Sequence, residues 1–152
     1  MADLAQISAL IVEAAGLDDE IAAVIGRAND SWIVRFQSID IEIGVDDQRG
    51  RLILVTVLGA PDQQRRLAVI ETLLAYNFLV RETGGVRIAT NGVGGELVQM
   101  ADIGIAGLSA RDLVVVLTNM AEKTLAWRAF IALNERAAGA PAASPDSLAL
   151  RL

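Results

Sequence analysis

The chain has 152 residues, enough for one domain with its own core, and it contains neither cysteine nor histidine. These two absences exclude disulfides, thiol nucleophiles, thiolate metal sites and imidazole chemistry. Thirteen basic and nineteen acidic residues give a net charge of −6, which opposes nucleic acid and anionic membranes as partners. The composition therefore predicts a non-catalytic protein without a cofactor.

The N-terminal segment lacks the basic start of a secretory signal, and acidic residues such as Asp3 and Glu13 interrupt its apolar residues. No apolar run approaches the roughly 18 residues that a membrane span needs. We therefore expect a soluble, cytoplasmic protein. Apolar residues make up 53% of the chain, which predicts an exposed apolar surface for partners. A large share of alanine is the alternative explanation of this average.

The first 28 residues predict one helix and one ambiguous segment. From Asp3 to Ala15, apolar residues recur at helical spacing, with Asp3 as the N-cap and Gly16 as the end. The segment from Leu17 to Ala28 has no clear period. Its acidic residues 18–20 are consistent with the start of a second short helix that ends at Gly26.

Three predicted strands follow, in residues 32–36, 39–45 and 51–58. The second has the clearest period-two pattern, and a polar turn that contains Gly50 connects it to the third. The third strand is apolar on both faces, with leucines on one and isoleucine and valine on the other. Since an antiparallel sheet usually needs one apolar face, this strand is either covered on both sides or receives a partner.

The second half predicts a central helix, a hairpin and a long final helix. The central helix runs from Asp62, its N-cap, to about Val80, and it carries more apolar residues than one buried face needs. Residues 86–103 form the hairpin. The last helix begins after Ser109, which forms a capping-box variant with Asp112, and it fades near Arg136.

The element order is α-β-β-β-α-β-β-α, which predicts an α+β fold with a twisted antiparallel sheet. Residues 1–136 form the single domain, and residues 137–152 form a tail rich in alanine, proline and serine. Leucine alternates at the very end, in residues 148–152. We expect either an unstructured tail or one whose leucines dock on an apolar groove and imitate a bound strand.

Three segments invite a catalytic or metal-binding interpretation, but a structural one is favoured for each. The glycine-rich residues 92–95 lack the lysine of a phosphate-binding loop and lie between strands, so they predict a hairpin turn. The carboxylates at 46–47 match no calcium-binding spacing, and those at 18–20 fit a helix start. We therefore expect no metal site and no enzyme activity.

The order and spacing of several short motifs resemble the Tir-chaperone (CesT-type) family of type III secretion chaperones. Residues 58–61 resemble its strand exit, and residues 73–77 resemble the Leu-Leu-x-x-Asn end of its central helix. Residues 86–104 and 108–112 resemble its second hairpin and the entry to its last helix. Trp127-Arg128 resembles its late Trp-Arg pair. The resemblance covers most of the chain, from Leu4 to Leu133.

The resemblance implies a bacterial homodimer that has a role in virulence and is not an enzyme. Such a chaperone binds the N-terminal segment of a secreted effector protein in extended form and keeps it competent for export. The physical means are an apolar groove and strand addition to a sheet edge. The alternative is a structural or regulatory dimer of the same fold that has no secreted client.

Two sets of residues are predicted to form the interfaces. For the dimer we expect the central-helix residues Leu73, Tyr76, Asn77 and Val80 at or beside a two-fold axis. Alternatively, Tyr76 and Val80 close the edge of the monomer core. For client binding we expect a groove formed by apolar faces of the first helix and of the first and third strands: Ile7, Ile11, Trp32, Val34, Phe36, Ile53, Val55 and Val57. The alternative is that the first and last helices cover both faces.

Overall fold

The computed structural model describes residues 3–79 and 81–133, which form three helices and a six-stranded antiparallel sheet. The strands lie in the order β1-β2-β3-β4-β6-β5. The elements in chain order are α1 (Leu4–Ala15), β1 (Ala23–Arg27), β2 (Ser31–Arg35), β3 (Asp40–Asp46), β4 (Arg51–Gly59), α2 (Arg66–Phe78), β5 (Arg87–Thr90), β6 (Leu97–Gly104) and α3 (Ala110–Ile131). The predicted α+β class is confirmed, with one more strand than expected.

The additional strand is β1, in the segment whose sequence was ambiguous and was consistent with a short helix. It pairs antiparallel with β2, so that Ile25 lies opposite Ile33. The connecting turn places Asn29 and Asp30 at positive φ, a conformation that these two residue types tolerate better than most. A five-residue segment has too little periodicity to distinguish helix from strand, and here pairing with β2 decides the outcome.

The helices α1 and α3 pack on one face of the sheet, which we call the inner face. Both begin as predicted. Asp3 accepts a hydrogen bond from the Ala5 amide at 2.9 Å, and Ser109 forms a reciprocal capping box with Asp112. The main core joins the two helices to the inner face, and its fully buried members include Ile11, Val34, Ile41, Ile43, Leu52, Leu54, Leu113, Leu117 and Met120.

The helix α2 packs on the β5 end of the same inner face. Its buried residues Val69 and Leu73 join a second cluster that contains Ile88 of β5 and Trp127 of α3. The helix is shorter at its start than predicted. Asp62 caps the preceding turn, where it accepts from the Gln64 amide at 2.9 Å, and α2 itself begins only at Arg66.

Arg128 connects α3 to the end of β4 through hydrogen bonds. Pairing between β3 and β4 ends at Glu42 and Val55, so the carbonyl of Val57 lies beyond this ladder. The Arg128 guanidinium donates to that carbonyl at 2.7 and 3.1 Å and to the Ser38 carbonyl at 2.9 Å. Arg128 therefore satisfies two backbone acceptors that no neighbouring strand reaches.

The opposite, outer face of the sheet carries a compact group of charges at one end. Asp102 of β6 accepts hydrogen bonds from both Arg51 of β4 and Arg87 of β5. The Arg87 hydrogen bond is the main reason why the pKa of Asp102 lies below its ordinary value, and the positive charge of Arg51 acts in the same direction. The three side chains connect three neighbouring strands on this face.

Removing the α3 cap should weaken the fold measurably. Ser109→Ala leaves the Asp112 backbone amide without its side-chain acceptor, so we expect the free energy of unfolding to fall by about 1 kcal/mol. Urea denaturation followed by circular dichroism measures this loss. Ser38→Ala is the matched control, because Ser38 is exposed and its change should stay within about 0.5 kcal/mol. Equal effects of the two variants would contradict the assignment of the cap.

Replacing Asp102 by a neutral residue should change how the free energy of unfolding depends on pH in the acidic range. Both arginines stabilise the ionised carboxylate, so its folded-state pKa lies below the ordinary value of 3.8. Its contribution is therefore present above that value and is lost as pH falls through the folded-state pKa. We expect Asp102→Asn to cost about 1 kcal/mol at pH 7 and progressively less below pH 3.8. Denaturation at pH 7 and at a pH below 3.8 measures the difference in the free energy of unfolding between the wild type and Asp102→Asn. The exposed Glu122→Gln is the charge control. A difference that does not become smaller in acid would contradict the prediction.

Candidate functional site

The outer face of the sheet presents an apolar surface that no described helix covers. All three helices join core clusters on the inner face. Antiparallel register brings together half-exposed side chains from three strands, and Val57 is 41% exposed. We call this set the outer patch, and its members are Ile33, Ile53, Val55, Val57 and Met100. An uncovered group of apolar side chains of this kind marks an interaction site more often than an ordinary solvent-exposed face does.

Charged pairs limit the outer patch on several sides. Arg35 and Asp40 form a close ion pair, with 2.7 Å between Nε and Oδ1. Glu42 lies between Ile33 and Val55 in the register, and it faces Arg27 at 3.8 Å. Glu42 therefore separates Ile33 from the patch members on β4 and β6. The Arg35–Asp40 pair and the arginines around Asp102 give those members a polar rim, as in protein–protein interfaces.

The structure divides the predicted client-binding residues between the two faces. Ile53, Val55 and Val57 lie on the outer face and are partly exposed. The other five residues are buried in the main core: Ile7 and Ile11 on α1, and Trp32, Val34 and Phe36 on the inner face at β2. The expected single groove is therefore not formed. The reason is the register, which places Trp32 opposite Ile43 and in line with Leu54 on the inner face.

Two members of the outer patch were absent from the predicted set. Ile33 lies between Trp32 and Val34, so the central part of β2 is apolar on both faces, although Ser31 and Arg35 flank Ile33 on the outer face. That pattern was a usable signal in the sequence. Met100 belongs to a strand without clear alternation, and only its pairing with Val55 assigns it to the outer face.

The helix α2 presents a second uncovered apolar surface. Leu67, Leu74 and Phe78 are 71%, 62% and 87% exposed, respectively. Their spacing puts them along one side of the helix. We call these three residues the α2 stripe. An exposed phenylalanine flanked by leucines on a helix is a common feature of helix-mediated association.

Three of the four residues predicted for the dimer interface lie on α2 but outside the α2 stripe, and the fourth is not among the described residues. Leu73 is buried in the second cluster, and the Tyr76 ring contacts the Trp127 ring edge-on at 4.8 Å. Burial raises the pKa of the Tyr76 hydroxyl. The Asn77 side chain donates to the Ile88 carbonyl and accepts from the Ile88 amide, each at 2.8 Å. Val80 lies outside the described residues, as does the alternating-leucine tail.

The remaining acidic segments have structural contacts. Asp18 accepts a hydrogen bond from the Thr118 hydroxyl at 2.6 Å, and this bond is the main reason why its pKa is lowered. Asp46 forms ion pairs with Arg49 and Arg51. Within residues 3–79 and 81–133, no three acidic side chains are grouped so that they could hold a metal ion. None of the described helices is long and apolar enough to cross a membrane.

Several solved structures share this fold. A chain of the ExsC–ExsE complex aligns with a TM-score of 0.70 and 15% identity, over 86% of this chain and 97% of that chain. A chain of the HopA1–SchA chaperone–effector complex aligns with a TM-score of 0.63 and 15% identity, over 84% and 98%. A structure of the Yersinia pestis type III secretion chaperone SycH in complex with a stable fragment of YscM2 aligns with a TM-score of 0.60 and 16% identity, over 79% and 98%.

At these identities the structural likeness shows the fold, and no curated protein matches the sequence. The family assignment comes from the sequence itself. The model of the Tir chaperone protein (CesT) family matches residues 21–128, more than two thirds of the chain. This range includes all six strands, α2 and most of α3. The resemblance inferred from the short motifs is confirmed: the chain belongs to the Tir chaperone protein (CesT) family.

Proposed function

We propose that this protein is a type III secretion chaperone that binds the N-terminal segment of an effector protein in extended form. The observation that carries the proposal is the outer patch, which is apolar, uncovered and backed by a fully packed core. Two of the structures that share the fold contain a chaperone with a bound protein: HopA1–SchA, and SycH with its YscM2 fragment. An uncovered sheet face suits a bound segment of the same kind here.

The shape of the outer patch favours an extended client over a folded one. On the neighbouring strands β4 and β6 its side chains lie side by side, as Val55 lies beside Met100, and Glu42 of β3 separates this group from Ile33. An extended segment places alternate side chains on one side, so it can bury every second residue against this group. The surrounding ion pairs leave the client's other side chains in a polar environment.

The proposed role is non-catalytic and cytoplasmic. The acidic residues around the outer patch form ion pairs: Asp40 with Arg35, and Asp102 with Arg87. Such pairs favour the ionised carboxylate, and the pKa values of Asp40 and Asp102 are both lowered. A general acid or base near neutral pH requires the opposite direction for a carboxyl group.

We also propose that a second copy of the chain covers the α2 stripe. Leu67, Leu74 and Phe78 are too exposed for a helix that is otherwise packed on a core. The predicted interface residues Leu73, Tyr76 and Asn77 lie on the packed side of α2 and hold the helix in place beneath the stripe. A two-fold arrangement would bring the same stripe from both copies together.

The alternative function is a structural or regulatory dimer of the same fold that binds no client.

A charge placed in the outer patch should abolish client binding without unfolding the protein. Val55→Asp buries a carboxylate against the client, so we expect at least a tenfold loss of affinity, or about 1.4 kcal/mol. Co-expression with effectors encoded beside this gene, followed by pull-down and calorimetry, measures it. Val115→Asp, on an exposed position of α3, is the matched control. Full binding by the Val55→Asp protein would refute the outer patch, and a dimer that captures no effector would support the alternative function.

A charge in the α2 stripe should affect assembly instead. Phe78→Glu would place two carboxylates at the proposed two-fold interface, so we expect a monomer of 16.1 kDa in light scattering. Leu125→Glu is the control, because Leu125 is 54% exposed on α3 and lies outside the stripe. A Phe78→Glu protein with the same mass as the control would show that α2 is not the interface.

A further inference from the structure

The acidic side chains on the outer face of β3 differ in how firmly they are held. This strand directs Asp40, Glu42 and Asp46 towards the outer face, since the residues between them point into the core. Each of the three carboxylates has an arginine partner. The chemistry that the outer patch selects in its client, which rests on the proposed function, depends on which carboxylate remains accessible.

Short contacts occupy the carboxylates at the two ends of β3. The Arg35 guanidinium donates to both oxygens of Asp40, at 2.7 and 2.8 Å. Asp46 accepts from the Arg49 side chain on one oxygen and from the Arg49 backbone amide on the other, each at 3.2 Å. Charge-assisted pairs that use both oxygens are among the stronger hydrogen bonds, and they have to break before the carboxylate can receive a client group.

Glu42, in the middle of the strand, is held much more loosely. Its ion-pair partner is Arg27, with 3.8 Å between Nη1 and Oε2, and the two side chains are 52% and 53% exposed. This separation exceeds hydrogen-bonding distance, and within residues 3–79 and 81–133 no hydrogen bond reaches the Glu42 carboxylate. An exposed pair of this kind contributes little to stability, so another cation can replace Arg27 at small cost.

The register places this carboxylate among apolar side chains. Glu42 lies beside Ile33 of β2 and beside Val55 of β4. A segment that covers these residues therefore meets one negative charge with an apolar side chain on either side. Because the covering segment also excludes water, the attraction between Glu42 and a cation of that segment becomes stronger than it is on the open surface.

A gap next to Glu42 provides room for a long side chain. Gly44 is the next outward residue of β3, and it lies between Ser31 and Ile53 in the register. A Cβ at this position would have no described atom within 4 Å beyond its own chain neighbours. Two residues along a strand are roughly 7 Å apart, which suits the apolar stem of a lysine or arginine that lies over Gly44 with its charge at Glu42.

We propose that Glu42 and the gap at Gly44 form a subsite for one basic side chain of the client, and that this subsite sets the charge preference of the outer patch. The bound cation takes the place of Arg27 at the Glu42 carboxylate. The net charge of −6 on the chain favours the approach of a basic segment. The fitting client segment therefore has a lysine or arginine with apolar residues at alternate positions on both sides.

Two capped peptides that differ in one charge test the subsite. In each, valine alternates with threonine over nine residues, and the central valine is replaced by lysine or by Nε-acetyl-lysine, which keeps the stem without the charge. Calorimetry should show that the wild type binds the lysine peptide about fivefold more tightly. Glu42→Gln should bind both peptides equally. The exposed Glu122→Gln has the same change of net charge and should keep the preference.

Two further variants separate the roles of charge and space. Arg27 competes for the same carboxylate, so Arg27→Gln should increase the preference for the lysine peptide at least twofold. Gly44→Val fills the gap with a residue that suits a strand, so it should weaken both peptides at least threefold and leave their ratio unchanged. Loss of the preference in Arg27→Gln would contradict the assignment of Glu42, and full binding by Gly44→Val would contradict the assignment of the gap.

The remaining outcomes distinguish the subsite from the proposed function. Equal affinity of the wild type for the two peptides, an unchanged preference in Glu42→Gln, or no detectable binding of either peptide would overturn the subsite. If Glu42→Gln captures an effector as tightly as the wild type does while Val55→Asp loses it, the outer patch stands and the subsite is refuted. If the wild type prefers the lysine peptide but captures no effector, the proposed function fails and the subsite is supported.

Discussion

All three helices bury their apolar side chains against the same face of one antiparallel sheet, and the rest of the structure depends on this one-sided packing. The fully buried Leu113, Leu117 and Met120 of α3 lie in the main core with residues from β2, β3 and β4. Each such side chain contributes about 1.5–3 kcal/mol when it leaves water. The inner face therefore carries most of the stabilising burial in the described chain, and no described helix covers the outer face.

The strand β4 shows the consequence most clearly. Its inner residues Leu52, Leu54 and Leu58 are buried, while Ile53 and Val55 are half-exposed and Val57 is more exposed still. Isoleucine and valine at solvent-facing strand positions add little to the stability of the monomer. They do keep the strand apolar on its outer face, which no described helix covers.

The helix α2 illustrates the same separation of roles within one element. Its packed side uses Val69 and Leu73 for the second cluster and Asn77 for the backbone of β5. Its other side carries Leu67, Leu74 and Phe78 without a partner in the described chain. Asn77 is informative because one side chain both secures α2 and satisfies the edge of the sheet, and an unsatisfied edge is a site for unwanted pairing.

The sequence by itself determined the helix caps at Asp3 and Ser109, the α+β class and the two-faced character of the 51–58 strand, because these follow from local spacing and capping chemistry. It also indicated the family through its short motifs. Three features depend on long-range packing: Ala23–Arg27 forms a strand, Trp32 faces the core while Val55 faces out, and Asn77 bonds to Ile88. The physical reason is that a strand has two equivalent faces until a helix packs on one of them. Which face that is depends on register and long-range contacts that no local pattern contains.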